Sequence, residues 1–336
     1  MRTAFALPVM LMSALYGQQA KPDKAMNQTS TPTVSPVVLT AADSKVLKMP
    51  FFYSSGISQC DADGDLYFNT ARNFNDSVIL KLTPGGDYSL YVIPADEPKD
   101  NYFIAYRVDP EGTVYVLVHA GLNDKLYLYE FSSDSVRPSR VDLQIPAGLE
   151  TLNFLVLPGQ HILLQGYFTD KAVPENEGRS YLAYFAPSGK LIRDSLHDGS
   201  DVVSKDLKAH SWALTAAAVT SDNGQSYMLS GNNMLVFSSA GELVKTMHLD
   251  LPGKNARPVN VFAVGGRVLV SFFKKPDKGV VFIPFYELLD GDTGEMIRTY
   301  VPDEEMGNVL ACFSKEGFTF VRPEKHHVKL IVAKPG

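Results

Sequence analysis

Residues 57–68 read ISQCDADGDLYF, and the chain repeats the same grammar five more times: AYRVDPEGTVYVL (105–117), NFLVLPGQHILL (153–164), AVTSDNGQSYML (218–229), VFAVGGRVLVSF (261–272) and ACFSKEGFTFV (311–321). Each copy has an apolar run, a short polar turn closed by glycine, and a second run rich in Val, Leu, Tyr and Phe. This is the pattern of two antiparallel strands joined by a tight turn. The turn glycines Gly64, Gly112, Gly159, Gly224, Gly266 and Gly317 are 48, 47, 65, 42 and 51 residues apart. A period near fifty residues marks a repeat architecture, in which each unit buries its apolar faces against its neighbours.

A second marker keeps the same phase. An apolar residue followed by proline stands at Met49-Pro50, Ile93-Pro94, Ile145-Pro146, Leu251-Pro252 and Val301-Pro302. Proline suits a place where a strand stops donating to its ladder and the chain crosses over. A third strand and another turn complete each unit in VILKLTPGGDY (78–88), KLYLYEFSSD (125–134), YLAYFAPSGKL (181–191), NMLVFSSAGEL (233–243) and FYELLDGDTGEM (285–296). The prediction is all-β: a six-bladed β-propeller of four-stranded blades. The last unit ends at VKLIVAK (328–334), one strand short. Ser44 to Met49 is expected to supply that strand and close the ring, which removes an open edge.

At 336 residues, 45% hydrophobic and 20% charged, the chain has ample material for a large core, which excludes disorder as a description of the whole. A balance of 31 basic and 37 acidic residues gives no pull toward nucleic acid. Met1-Arg2, the apolar run from Ala4 to Tyr16 and Ala20 read as a signal peptide over 1–20. No other stretch reaches the roughly 20 apolar residues of a membrane span, so no transmembrane segment is expected in the mature chain. Residues 21–36, KPDKAMNQTSTPTVSP, read as a flexible polar linker, and 37–336 as one propeller domain. The expected location is periplasmic or extracellular.

DADGDLYF, DPEGTVYV and LVFSSAGELV resemble repeats of the NHL-type and related six-bladed propellers of secreted bacterial proteins, over about residues 44–334. The resemblance implies the fold. Propellers of this shape include lactone hydrolases, lyases and scaffolds that bind ligands or proteins, so function does not follow from it. For the lactonase-like kind it implies a divalent cation, calcium for instance, held at the channel mouth near the starts of the innermost strands.

The residues themselves favour binding over catalysis. The sequence contains no G-x-S-x-G and no H-E-x-x-H motif, so no catalytic residue, cofactor or metal site is assigned. Asp61, Asp63 and Asp65 imitate the opening of a calcium loop, but its twelfth position is Arg72, and a tight turn is the better reading. Asn153, Asn260 and Asn308 precede their turn glycines by six to nine residues, and their amides are candidates to bind a sugar or peptide at one end of the channel. Gln59 and Arg107 stand five residues before their glycines and join that set. Trp212, the only tryptophan, lies in one of two long connections, 169–180 and 197–213, expected on one face. The expected partner is a polar small molecule, a glycan or a protein. Cys60 and Cys312 fall on the innermost strands of the first and last blades, where spacing favours two buried free thiols over a disulfide.

Overall fold

A computed structural model describes residues 35–48, 58–71, 77–94, 101–120, 125–132, 137–168, 180–194, 218–221, 223–253, 256–274, 283–306, 309–324 and 327–335. The fold is an all-β propeller built from four-stranded antiparallel blades. After strand β1 (Val37–Lys48) come four separate four-stranded sheets. They are β2 (Ser58–Cys60), β3 (Leu66–Ala71), β4 (Ser77–Leu82) and β5 (Tyr88–Val92); β6 (Asn101–Val108), β7 (Val114–Ala120), β8 (Lys125–Phe131) and β9 (Ser139–Gln144); β10 (Leu149–Val156), β11 (Ile162–Phe168), β12 (Ser180–Phe185) and β13 (Leu191–Asp194); and β14 (Ala218–Thr220), β15 (Ser226–Ser230), β16 (Asn233–Phe237) and β17 (Leu243–His248). The fifth sheet has eight strands. It contains β18 (Ala256–Val264), β19 (Arg267–Lys274), β20 (Ile283–Asp290) and β21 (Met296–Pro302), then β1, then β24 (His327–Pro335), β23 (Gly317–Glu324) and β22 (Val309–Ser314).

Five of the six turn glycines lie between the first and second strands of a four-strand run and Gly317 opens its second strand, each with a positive φ between 71° and 134°. At Gly112 the demand is twofold, since φ is +83° and an added Cβ would stand 3.0 Å from Asp61 Oδ2 and 3.1 Å from Tyr67 Oη. Glycine alone satisfies both the left-handed backbone and the close approach.

The inner strands are apolar on both faces because they are sandwiched between neighbouring blades. Along β11, Ile162 and Leu164 pack with Leu117 and Leu128 of the preceding blade, while Leu163 packs with Met228 and Leu235 of the following one. All seven residues of β11 are buried. This explains why the strands read as continuous apolar runs instead of strict alternation. Burial of each such leucine is worth roughly 1.5–3 kcal/mol.

The first strands meet their neighbours in the closed order β2, β6, β10, β14, β18, β22 and back to β2. Side chains tie several of these seams to backbone. Ser58 Oγ donates to the Leu310 carbonyl at 2.8 Å; Gln59 Nε2 donates to the Tyr106 carbonyl at 2.9 Å and its Oε1 accepts from the Val108 amide at 2.8 Å. Arg107 Nε donates to the Phe154 carbonyl at 2.8 Å. Thr220 Oγ1 donates to the Val156 carbonyl at 3.4 Å.

Strand β1 pairs antiparallel with β24 from Leu39–Pro335 to Lys48–His327, in the position expected of the missing fourth strand. The pairing starts earlier than Ser44, and Met49 lies outside the described residues. Val37 to Leu39 also run parallel to Tyr300–Pro302 of β21, which merges two four-strand runs into one sheet. On its other side β1 reaches the first sheet: Leu47 packs among Leu66, Phe68 and Leu80, and Lys45 Nζ donates to the carbonyls of Pro84 and Gly85 at 3.0 and 2.8 Å.

The cysteines correct the sequence expectation. Cys60 and Cys312 form a disulfide, with Cα atoms 5.5 Å apart. The expectation of too wide a gap between neighbouring innermost strands fails here, because β2 and β22 bring these two positions close together. A bulge between Leu310 and Cys312 also shifts the register of β22. A Cα separation of this size falls inside the range a disulfide spans without backbone movement.

Candidate functional site

A cavity of about 360 Å³ opens among the first strands, at the end where they enter their turns. Five of these strands contribute to its wall: Gln59 and Cys60 from β2, Val108 from β6, Ala218 to Thr220 from β14, Val261 to Val264 from β18, and Phe313 and Ser314 from β22. The adjoining turns add Asp61, Asp63, Pro110, Lys315 and Glu316. Its lining therefore mixes apolar surface with three carboxylates and one ammonium.

Asp61 is fixed by its own turn. Its Oδ1 accepts from the amides of Asp63 and Asp65 at 3.1 and 2.9 Å, and its Oδ2 accepts from Tyr67 Oη at 2.8 Å. Burial raises the Asp61 pKa above the ordinary carboxylate value, against the opposing pull of the Tyr67 hydrogen bond. Burial, with the hydrogen bond to Asp61, likewise raises the Tyr67 phenol. Lys81 Nζ lies 2.6 Å from Asp65 Oδ2 and 4.0 Å from Asp61 Oδ2. Burial works against the charged Lys81, but Asp65, with Tyr91 and Asp61, together outweigh it and leave the pKa raised. The next blade repeats the device, with Asp109 Oδ1 accepting from the Thr113 amide at 2.7 Å and Oδ2 from Tyr115 Oη at 3.4 Å. The D-x-x-G-x-x-Y spacing thus encodes a capped turn whose aspartate and tyrosine hold each other.

The residues singled out from sequence have different fates. Gln59 lines the cavity, but both ends of its carboxamide are engaged across a seam. Arg107 is 3% exposed and also bridges a seam; burial lowers its pKa to about 9. Its guanidinium lies 5.3 Å from the centre of the Phe154 ring. Asn153 and Asn260 occupy matching positions just beyond a bulge, between Thr151 and Asn153 in β10 and between Pro258 and Asn260 in β18. In each, Oδ1 accepts from the next residue's amide at 2.9 Å, so one lone pair of the oxygen is committed. In β22 the position after the corresponding bulge belongs to Cys312. Asn308 and Trp212 lie outside the described residues, as do 169–179 and 197–213 of the long connections.

Sequence reasoning missed Glu287, 7% exposed on β20, whose carboxyl is pushed up to about 7 by burial, with the charge of Asp250 adding to the effect. It sits in a run, FYELLD, that reads as an ordinary strand, and nothing local marks it. Among the described residues no group of three or more His, Cys, Asp and Glu side chains comes together to hold a metal ion. Among them no helix is long and apolar enough to cross a membrane.

No protein-family model matches the chain, and no curated protein matches it. Solved structures similar to it include a putative gluconolactonase, at 12% identity, with 88% of this chain and 94% of that chain covered and a TM-score of 0.49. Another is the calcium-binding protein regucalcin from Agrobacterium tumefaciens, at 11% identity, covering 90% and 97%, with a TM-score of 0.48. A third is a luciferin-regenerating enzyme, at 10% identity, covering 86% and 95%, with a TM-score of 0.49.

Proposed function

We propose that the chain is an exported β-propeller of six blades that binds a small polar ligand in the cavity among its first strands. The six-fold count follows from reading the eight-stranded sheet as two blades joined through β1, in accord with the closed order of the six first strands. The cavity carries the functional reading. At about 360 Å³ it has the size of small-molecule sites, and it combines an apolar wall with a few fixed polar groups. Asp61, Asp63 and Glu316 against Lys315 favour a neutral or cationic ligand, a sugar or an amine, over an anion. The Cys60–Cys312 disulfide supports export to an oxidising compartment, consistent with a signal peptide over 1–20.

A hydrolase or lyase that uses a channel cation is the competing reading. The described residues do not fit it well, because Asn153 and Asn260 each commit one oxygen lone pair to a backbone amide and Asn153 is 0% exposed. A thermal-shift screen of the purified protein against neutral sugars, amines, lactones and calcium separates the two. Stabilisation by a sugar or amine, with affinity reduced about tenfold in Asp63→Asn or Glu316→Gln, is the expected result. Calcium retained through dialysis and lost in Asn260→Ala would move the assignment to the metal-dependent enzyme.

A further inference from the structure

The seam between the β10–β13 and β14–β17 blades contains polar groups that have no match among the described residues. Asn153 and Gln165 are a directly opposed cross-strand pair. Both are 0% exposed, yet Asn153 Nδ2, Gln165 Nε2 and Gln165 Oε1 have no hydrogen-bond partner among the described residues. The Gln165 side chain belongs to the face that also presents Leu163 to Met228 of the next blade. Ser230 shares a face with Met228, is 0% exposed, and its Oγ also lacks a partner among the described residues.

The two sides stand at similar heights. Thr220 meets Val156 across this seam. Ser226, the partner of Thr220 in register, lies four residues from Ser230; Ile162, the partner of Val156, lies three residues from Gln165. Lower in the seam Leu155, Leu157, Leu163, Met228 and Phe237 make an apolar contact. The polar set lies above that contact.

An entire carboxamide, one amide NH₂ and one hydroxyl left dry in the interior would each carry the desolvation penalty of an unmatched polar group. Their full burial excludes anything large. Water has the size, and its two donors and two acceptors match a set that offers donors from Asn153 and Gln165, an acceptor from Gln165 and either role from Ser230. We propose that ordered water occupies this seam and bridges Asn153 and Gln165 to Ser230, so that water acts as the hydrogen-bonding clasp between these two blades.

A high-resolution crystal structure of the full chain tests this directly. Density for water within hydrogen-bonding reach of both Asn153 Nδ2 and the Gln165 carboxamide is expected; a dry seam, or carboxamides bonded directly to protein groups, overturns the proposal. Thermal unfolding gives an independent reading through its sign. If the groups were dry, Gln165→Met would remove an unmatched amide and raise the melting temperature; with bridging water it removes bonds and lowers it by several degrees. Because methionine can also pack poorly, Ser230→Ala is combined with it in a double-mutant cycle. Shared water predicts that the combined loss falls short of the sum of the two single losses, and strict additivity overturns the bridge.

Discussion

Glu287 is a carboxyl group set where a carboxylate is poorly solvated. On β20 it pairs in register with Val270, whose side chain packs with Tyr227 and Leu229 of the preceding blade, and with Thr299 on its other side. Burial, then the negative charge of Asp250, holds its pKa near 7 against an ordinary value of 4.5. The folded state therefore keeps the proton more tightly than the unfolded chain does. Its contribution to stability is fullest below the ordinary value, declines as pH rises through the interval up to about 7, and levels off above it. Glu287→Gln removes the titration. The variant should match the parent near pH 4 and exceed it near pH 8 by up to roughly 3 kcal/mol, the value of that pKa difference. Melting temperatures of both proteins across this range provide the check, and an equal difference at both ends would discard the assignment. Asp61 shows the opposite case, a carboxylate whose role the sequence exposes. Its spacing to Gly64 and Tyr67 marks a turn, and the turn amides and the Tyr67 hydroxyl occupy its oxygens.

At the scale of the element, β1 is the strand on which closure depends. It pairs with β24 along nearly its whole length, and it buries Leu39 at 0% exposure and Leu47 at 7%. Removal through residue 50 would uncover the β24 edge and part of two apolar clusters, one holding Leu39 with Tyr286 and Phe320 and the other holding Leu47 with Phe68. Such a truncation should lose cooperative unfolding and aggregate, whereas removal through residue 36 should leave the melting temperature unchanged. Scanning calorimetry and size-exclusion chromatography of the two truncations distinguish these outcomes, and a cooperative, soluble 51–336 chain would contradict this role for β1. The strand was legible because the last repeat lacked one partner and the N-terminal segment carried the same Met-Pro mark that ends fourth strands. The alignment of the asparagines was less legible. Counting back from the turn glycine groups Asn153 with Asn260, and both stand just beyond a bulge, while in β22 the place after the bulge goes to Cys312 and Asn308 lies outside the described residues. Counting also assigned Gln59 and Arg107 to the channel, and Gln59 does line the cavity among the first strands. Both side chains turn sideways into seams, a direction that only the packing of one blade on the next decides.

For the whole molecule, the seam between the first sheet and the β22–β24 run is where the ends of the chain must be held together, and it has two clasps. Near the axis Cys60 and Cys312 join β2 to β22 across a sequence separation of 252 residues. Farther out β1 completes the sheet and contacts the turn at Pro84 and Gly85. The inner clasp acts chiefly on the unfolded chain, which it denies the freedom of a very long loop, and disulfides of this kind contribute about 2–4 kcal/mol. The native ladder does not depend on it. Replacing both residues, Cys60→Ser with Cys312→Ser, should therefore leave the folded far-ultraviolet spectrum intact while lowering the melting temperature, and reductant should lower it in the parent but not in the double variant. Peptide mapping without reduction should recover the Cys60 and Cys312 peptides as one linked species. Two separate free-thiol peptides from protein prepared under oxidising conditions, or a parent melting temperature indifferent to reductant, would remove the inner clasp and leave closure to β1.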